Sequence, residues 1–76
     1  MDESMNRVLN TFSEMKSDRL DLHTLFEAGG NDPRAREEVL EVVGQMVRLG
    51  LIEPSGSDFY TLTASGRQAI KQSSRG

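Results

Sequence analysis

Between Pro33 and Leu49 the chain carries Arg34, Arg36 and Arg48 together with Glu37, Glu38 and Glu41. These six charges are the residues best suited to chemistry, and that chemistry is ion recognition. Guanidinium groups grip phosphates and carboxylates with a fork of donors. Carboxylates take cationic side chains or accept from the amine of cytosine. At about 100° per residue, Arg34, Glu37, Glu38, Glu41, Gln45 and Arg48 all point away from an apolar stripe of Ala35, Val39, Val42, Val43 and Met46. Arg34 and Arg36 open the segment, where a helix N-terminus also favours anions. Glu37 and Glu41 stack one turn apart and repel each other and any approaching phosphate. Gly44 falls on the exposed face in mid-helix, where glycine costs about 1 kcal/mol relative to alanine. A second backbone, from a partner or another copy of the chain, has room to approach there.

Other residue types offer less. There is one histidine, His23, and no cysteine, so neither a disulfide nor a thiolate metal site can form. His23 reads as a surface residue in the first turn of a helix, with no nucleophile or spaced carboxylate to make it a general base. Ser55, Ser57 and Ser65 belong to turns and a helix start, and Gly29-Gly30 lacks the spacing of a phosphate loop. No enzymatic activity, metal or cofactor is expected.

A chain of 76 residues makes one small domain, near the lower limit for folding without a covalent or metal staple. The expected domain spans 1–72, with residues 73–76 as a frayed tail. Aromatics are few (Phe12, Phe26, Phe59 and Tyr60), so the core must be mainly aliphatic. No apolar run approaches the roughly 18 residues that span a bilayer, which excludes a membrane partner, and the acidic start Met1-Asp2-Glu3-Ser4 is no signal peptide. A cytoplasmic location is the expectation. The formal net charge of −3 is unusual for a protein that grips a phosphate backbone, so the placement of charges has to decide.

The elements that hold these charges are well marked. Met1, Met5, Val8, Leu9, Phe12 and Met15 recur at helical spacing up to Lys16, with Asp2 or Ser4 as cap, and Ser17-Asp18 ends the pattern. Arg19 to Leu22 suits a short strand. Asp21 can cap a second helix, which stops at Gly29-Gly30 because glycine accepts left-handed backbone. Asn31-Asp32-Pro33 starts a third helix, with Asp32 as cap and Pro33 at its first position. This helix ends at Gly50, with Leu51 packing back on Met46. Leu51-Ile52-Glu53 and Phe59-Tyr60-Thr61-Leu62 read as strands around the turn Pro54-Ser55-Gly56-Ser57-Asp58. Thr63 caps a last helix running to about Gln72 with Ala69 and Ile70 inward. The expected core is Val8, Leu9, Phe12, Leu22, Leu25 and Phe26 from the first half. Val39, Val43, Met46, Leu51, Ile52, Tyr60, Leu62 and Ile70 complete it.

Met46, Gly50, Leu51 and Ile52, followed by Tyr60, Leu62, Thr63 and Gly66, resemble the winged helix-turn-helix family of MarR/PadR-like small transcriptional regulators. Its chains commonly run through L-x-x-x-G-L-I into a hairpin and then Y-x-L-T-x-x-G, and here Met46 takes the place of the first leucine. The resemblance implies an α+β fold: a three-helix core, a short β-hairpin wing and a C-terminal helix. It implies a DNA-binding regulator whose third helix enters the major groove. Arg34, Arg36, Gln45 and Arg48 would make the contacts, with Lys16 and Arg19 as backbone anchors. It also allows a homodimer built on helix 1 and the C-terminal helix.

The wing carries only Glu53 and Asp58 between Ile52 and Thr63, which speaks against a conventional wing contact with double-stranded DNA. The alternative is a protein partner docked on the acidic outer face of helix 3, formed by Glu37, Glu38 and Glu41 beside Gly44.

Overall fold

The computed structural model describes residues 3–30 and 32–73. Met1, Asp2, Asn31 and residues 74–76 lie outside them, and with these the expected inward Met1, the Asp2 cap and most of the frayed tail. The elements are α1 (Glu3–Met15), β1 (Arg19–Asp21), α2 (Leu22–Gly29), α3 (Pro33–Arg48), β2 (Ile52–Pro54), β3 (Phe59–Leu62) and α4 (Ala64–Ser73). The fold is α+β: among the described residues, four helices pack with a three-stranded antiparallel sheet ordered β1-β3-β2. None of the described helices is long and apolar enough to cross a membrane.

α1 buries Met5, Val8, Leu9, Thr11 and Phe12, the stripe its spacing predicts. Met15 breaks the expectation, being 55% exposed. It is the last residue of α1. The chain leaves α1 through Lys16, whose φ of 53° lies in the left-handed region. Lys16 N donates to Ser13 O (3.1 Å) and Ser17 N to Phe12 O (3.3 Å), the paired bonds of a Schellman ending. A lysine there carries a steric cost that glycine avoids, so Lys16→Gly is expected to stabilise the fold by about 0.5–1 kcal/mol. A urea titration checks it, and an unchanged or lower midpoint would show that the lysine side chain compensates.

Asp21 occupies the N-cap position of α2 but makes no cap bond to a helix amide. Its carboxylate accepts instead from the Thr24 hydroxyl. That hydrogen bond holds the Asp21 carboxyl below the usual aspartate range. A folded-state value below the unfolded one means the contact helps above the unfolded value and is lost as pH falls through the folded one. α2 stops at Gly30, which has the expected positive φ (102°) but a ψ of 137°. The chain therefore leaves in extended form, outside the left-handed helical region, and reaches α3 within a short turn.

Asp32 caps α3 by accepting from Ala35 N at 3.0 Å, with Pro33 at the first turn. The exit is again a Schellman ending, with Gly50 N on Val47 O (3.1 Å), Leu51 N on Met46 O (2.9 Å) and Gly50 at φ 77°. Leu51 and Ile52 then enter the core at the start of the hairpin. The hairpin pairs Ile52 with Leu62 and Pro54 with Tyr60, and β1 pairs Leu20 with Tyr60 on the other edge of β3. Ser55 N bonds Phe59 O (2.8 Å), and Gly56 turns the chain at φ 89°. Thr63 caps α4, its hydroxyl oxygen accepting from Gly66 N at 3.0 Å.

The core holds Met5, Val8, Leu9, Phe12, Leu20 and Leu25 from the first half. Val39, Val42, Val43, Met46, Leu51, Ile52, Leu62 and Ala69 complete it. Leu22 was expected among them but is only half-buried at the first turn of α2, while the preceding strand buries Leu20 instead. Phe26, Tyr60 and Ile70 are also half-buried and pack against the cluster from outside.

Candidate functional site

The outer side of α3 carries charges of both signs, and the helical period distributes them unevenly. Arg34, Glu37, Glu38, Glu41 and Gln45 line one shallow depression with Ser4 and Val42, between α3 and the start of α1. Ser4 Oγ donates to Glu38 Oε1 at 3.2 Å, which ties the two helices together. Gln45 is half-buried in this depression, although helical spacing alone places it outward. Arg34 therefore works among three carboxylates, and their field opposes any phosphate it meets.

Arg36 does not join that group. It lies two residues beyond Arg34, roughly 200° around the helix. There its guanidinium carbon stands 5.4 Å from the centroid of Phe26, a cation–π contact with α2. Arg48, exposed at the end of α3, runs back along the helix, and its Nη1 is 3.9 Å from where a Cβ on Gly44 would stand. Gly44 is for that reason half-buried, where an exposed position was expected. Beyond its chain neighbours and the helix's own backbone, no other described atom comes within 4 Å of that point, so contacts with the rest of the chain do not require glycine there.

Arg19 changes the account of the wing. Pairing of β1 with β3 carries it onto the hairpin, where its guanidinium carbon lies 4.2 Å from the Phe59 ring centroid. Its Nη2 donates to Ser55 O at 3.3 Å, beside the Gly56 turn. The hairpin sequence has no cation, yet the folded wing does. Lys16 sits elsewhere, on a mainly apolar groove between α1 and α4 that Arg67 and Lys71 also line. Arg67 is bound there to Asp18 at 3.0 Å. The i,i+4 spacing of Arg67 and Lys71 was visible in the sequence, but only the fold sets them beside Lys16.

The six residues expected to touch DNA thus fall into separate places. Arg34 and Gln45 share the acidic depression, and Arg48 lies over Gly44. Arg36 faces α2, Arg19 is on the wing and Lys16 ends α1. Glu37, Glu38 and Glu41 do come together, as the alternative docking surface requires. His23 is exposed, 3.6 Å from Glu27 one turn on. No group of three or more described His, Cys, Asp or Glu residues could hold a metal ion. Comparison with protein-family models, with curated proteins and with solved structures finds no match for this chain.

Proposed function

We propose that this chain is a winged helix that binds double-stranded DNA through the outer face of α3 and a wing armed by Arg19. The element order and the β1-β3-β2 sheet support the winged-helix reading, as does the short turn between α2 and a capped α3. The observation that carries the DNA reading is the position of Arg19. An exposed guanidinium held over Phe59 at the hairpin turn supplies the wing cation that the hairpin's own residues lack. Arg34 at the start of α3 and Arg48 at its end provide further phosphate donors. The three carboxylates between them keep overall affinity low, and the few phosphate donors keep its dependence on salt shallow.

Titration of the full chain with random-sequence duplex at several salt concentrations tests this. Arg19→Ala and Arg34→Ala are each expected to reduce the log–log salt slope by about 0.9, the share of one phosphate contact. Arg36→Ala should change it less, because Arg36 lies on the side of α3 that faces α2, away from Arg34. Binding that ignores both Arg19 and Arg34 would sink the reading.

A second reading, a protein partner with basic side chains docked on α3, has its own support. Glu37, Glu38 and Glu41 converge on one depression, next to a Gly44 that the chain's own packing does not explain.

A further inference from the structure

Next to the acidic depression, and sharing Ser4, Glu38 and Val42 with it, a cavity of about 130 Å³ opens where α1, the end of α2 and the first half of α3 meet. Its floor is apolar, made by Val8, Leu25, Val39 and Val42, each at least nine-tenths buried. Small residues at Ala28, Gly29 and Ala35 leave the space open. At Gly29 an added Cβ would come within 2.8 Å of Val39 Cγ2, so a larger residue there would press directly on the floor.

The mouth is charged with both signs. Arg7 lines it from α1, and its guanidinium makes no ion pair or hydrogen bond with the described residues. Glu38 lines it from α3, positioned by the hydroxyl of Ser4. A carboxylate accepting one hydrogen bond keeps most of its acceptor sites for other donors. The buried Thr11 hydroxyl donates to Arg7 O (2.9 Å) and Ser4 donates to Glu38, so both hydroxyls can still only accept, and the charged groups at the mouth are Arg7 and Glu38.

We infer that this cavity binds a free α-amino acid with a branched aliphatic side chain. The volume sets the apolar part: a cavity of about 150 Å³ holds benzene, so this one takes an isobutyl group. The two charges set the head. A simple carboxylate would meet Arg7 but be repelled by Glu38, and a simple amine would suffer the reverse. A zwitterion satisfies both, with the ammonium on Glu38 and the carboxylate on Arg7.

The cavity shares Ser4, Glu38 and Val42 with the acidic depression on α3, but the proposal does not depend on the DNA reading.

Methyl NMR of the full chain, titrated with L-leucine, tests it. Saturable shifts are expected at Val8, Leu25, Val39 and Val42. Isocaproate, which lacks the amine, and isoamylamine, which lacks the carboxylate, should each bind at least roughly tenfold more weakly, as loss of a charge-assisted hydrogen bond implies. Arg7→Gln, at an exposed position, should weaken leucine to a similar degree. Ala28→Leu, also exposed, should fill the mouth and abolish the shifts. Absence of saturable shifts with leucine would overturn the proposal. So would an affinity for either singly charged analogue equal to that for leucine, or unchanged affinity in Arg7→Gln.

Discussion

Gly66→Ala is expected to destabilise the fold by about 3 kcal/mol or more, near the upper end for overpacking. A Cβ at Gly66 would stand 2.1 Å from Leu51 O and 2.8 Å from Leu62 Cδ2. The carbonyl cannot move aside, because Leu51 O accepts from Thr63 N at 3.1 Å. Thr63 is held in turn: its hydroxyl donates to Gly50 O and accepts from Gly66 N. Relief would require lifting α4 off the end of α3, with loss of those bonds and of the contact that buries Ala69. A chain of this length has a total stability of about 4–11 kcal/mol, so the loss takes a large share of it. Intrinsic helix propensity pulls the other way, favouring alanine by about 1 kcal/mol. The sign of the change is therefore diagnostic. A urea titration should show a clearly lower midpoint, and a raised one would mean that α4 does not pack against Leu51.

Charge reversal at Glu37 and Glu41 should give the largest functional change. Both side chains are exposed on α3, so Glu37→Lys combined with Glu41→Lys leaves the core intact, and its urea midpoint should stay close to that of the parent. If DNA lies on this face, two repulsions become two phosphate contacts. Affinity for duplex should then rise on the order of a hundredfold at low salt, with a slope steeper by about 1.8. If a basic protein surface docks here instead, the same variant meets like charge and the complex is lost. Duplex binding that stays flat would remove α3 from the DNA account.

Much of the architecture was legible because each boundary rests on local chemistry. Asp32-Pro33, Gly50 and Thr63 mark element ends by φ preference or capping alone, and each lies where its chemistry places it; the hairpin is one residue off, since β2 takes in Pro54 and leaves out Leu51. The misplaced residues depend on what lies across space. Met15 continues the helical pattern yet is exposed at the last position of α1, while Leu20, just before a helix, is buried in β1. The candidate site was legible only in part for the same reason. Helical phase placed Glu37, Glu38 and Glu41 together, since they share one element. It could not reveal that Arg19 would arm the wing, because a pairing between strands about 40 residues apart brings it there. Helical phase also set Arg36 about 200° from Arg34, but not that Phe26 of α2 would lie against it. Gly66 stood out as part of a motif, but the reason for glycine there is a carbonyl fifteen positions earlier in the chain.

The sheet also limits how copies of this chain can assemble. Its outer strands, β1 and β2, are three residues each, and β2 ends in proline, which offers no amide donor. β1 carries Arg19 and Asp21 on its flanks. Short, charged, proline-ended strands are poor templates for pairing with another molecule, so the edges resist fibril-like stacking and strand exchange. A symmetric pair, if one forms in solution, has the helices to build on.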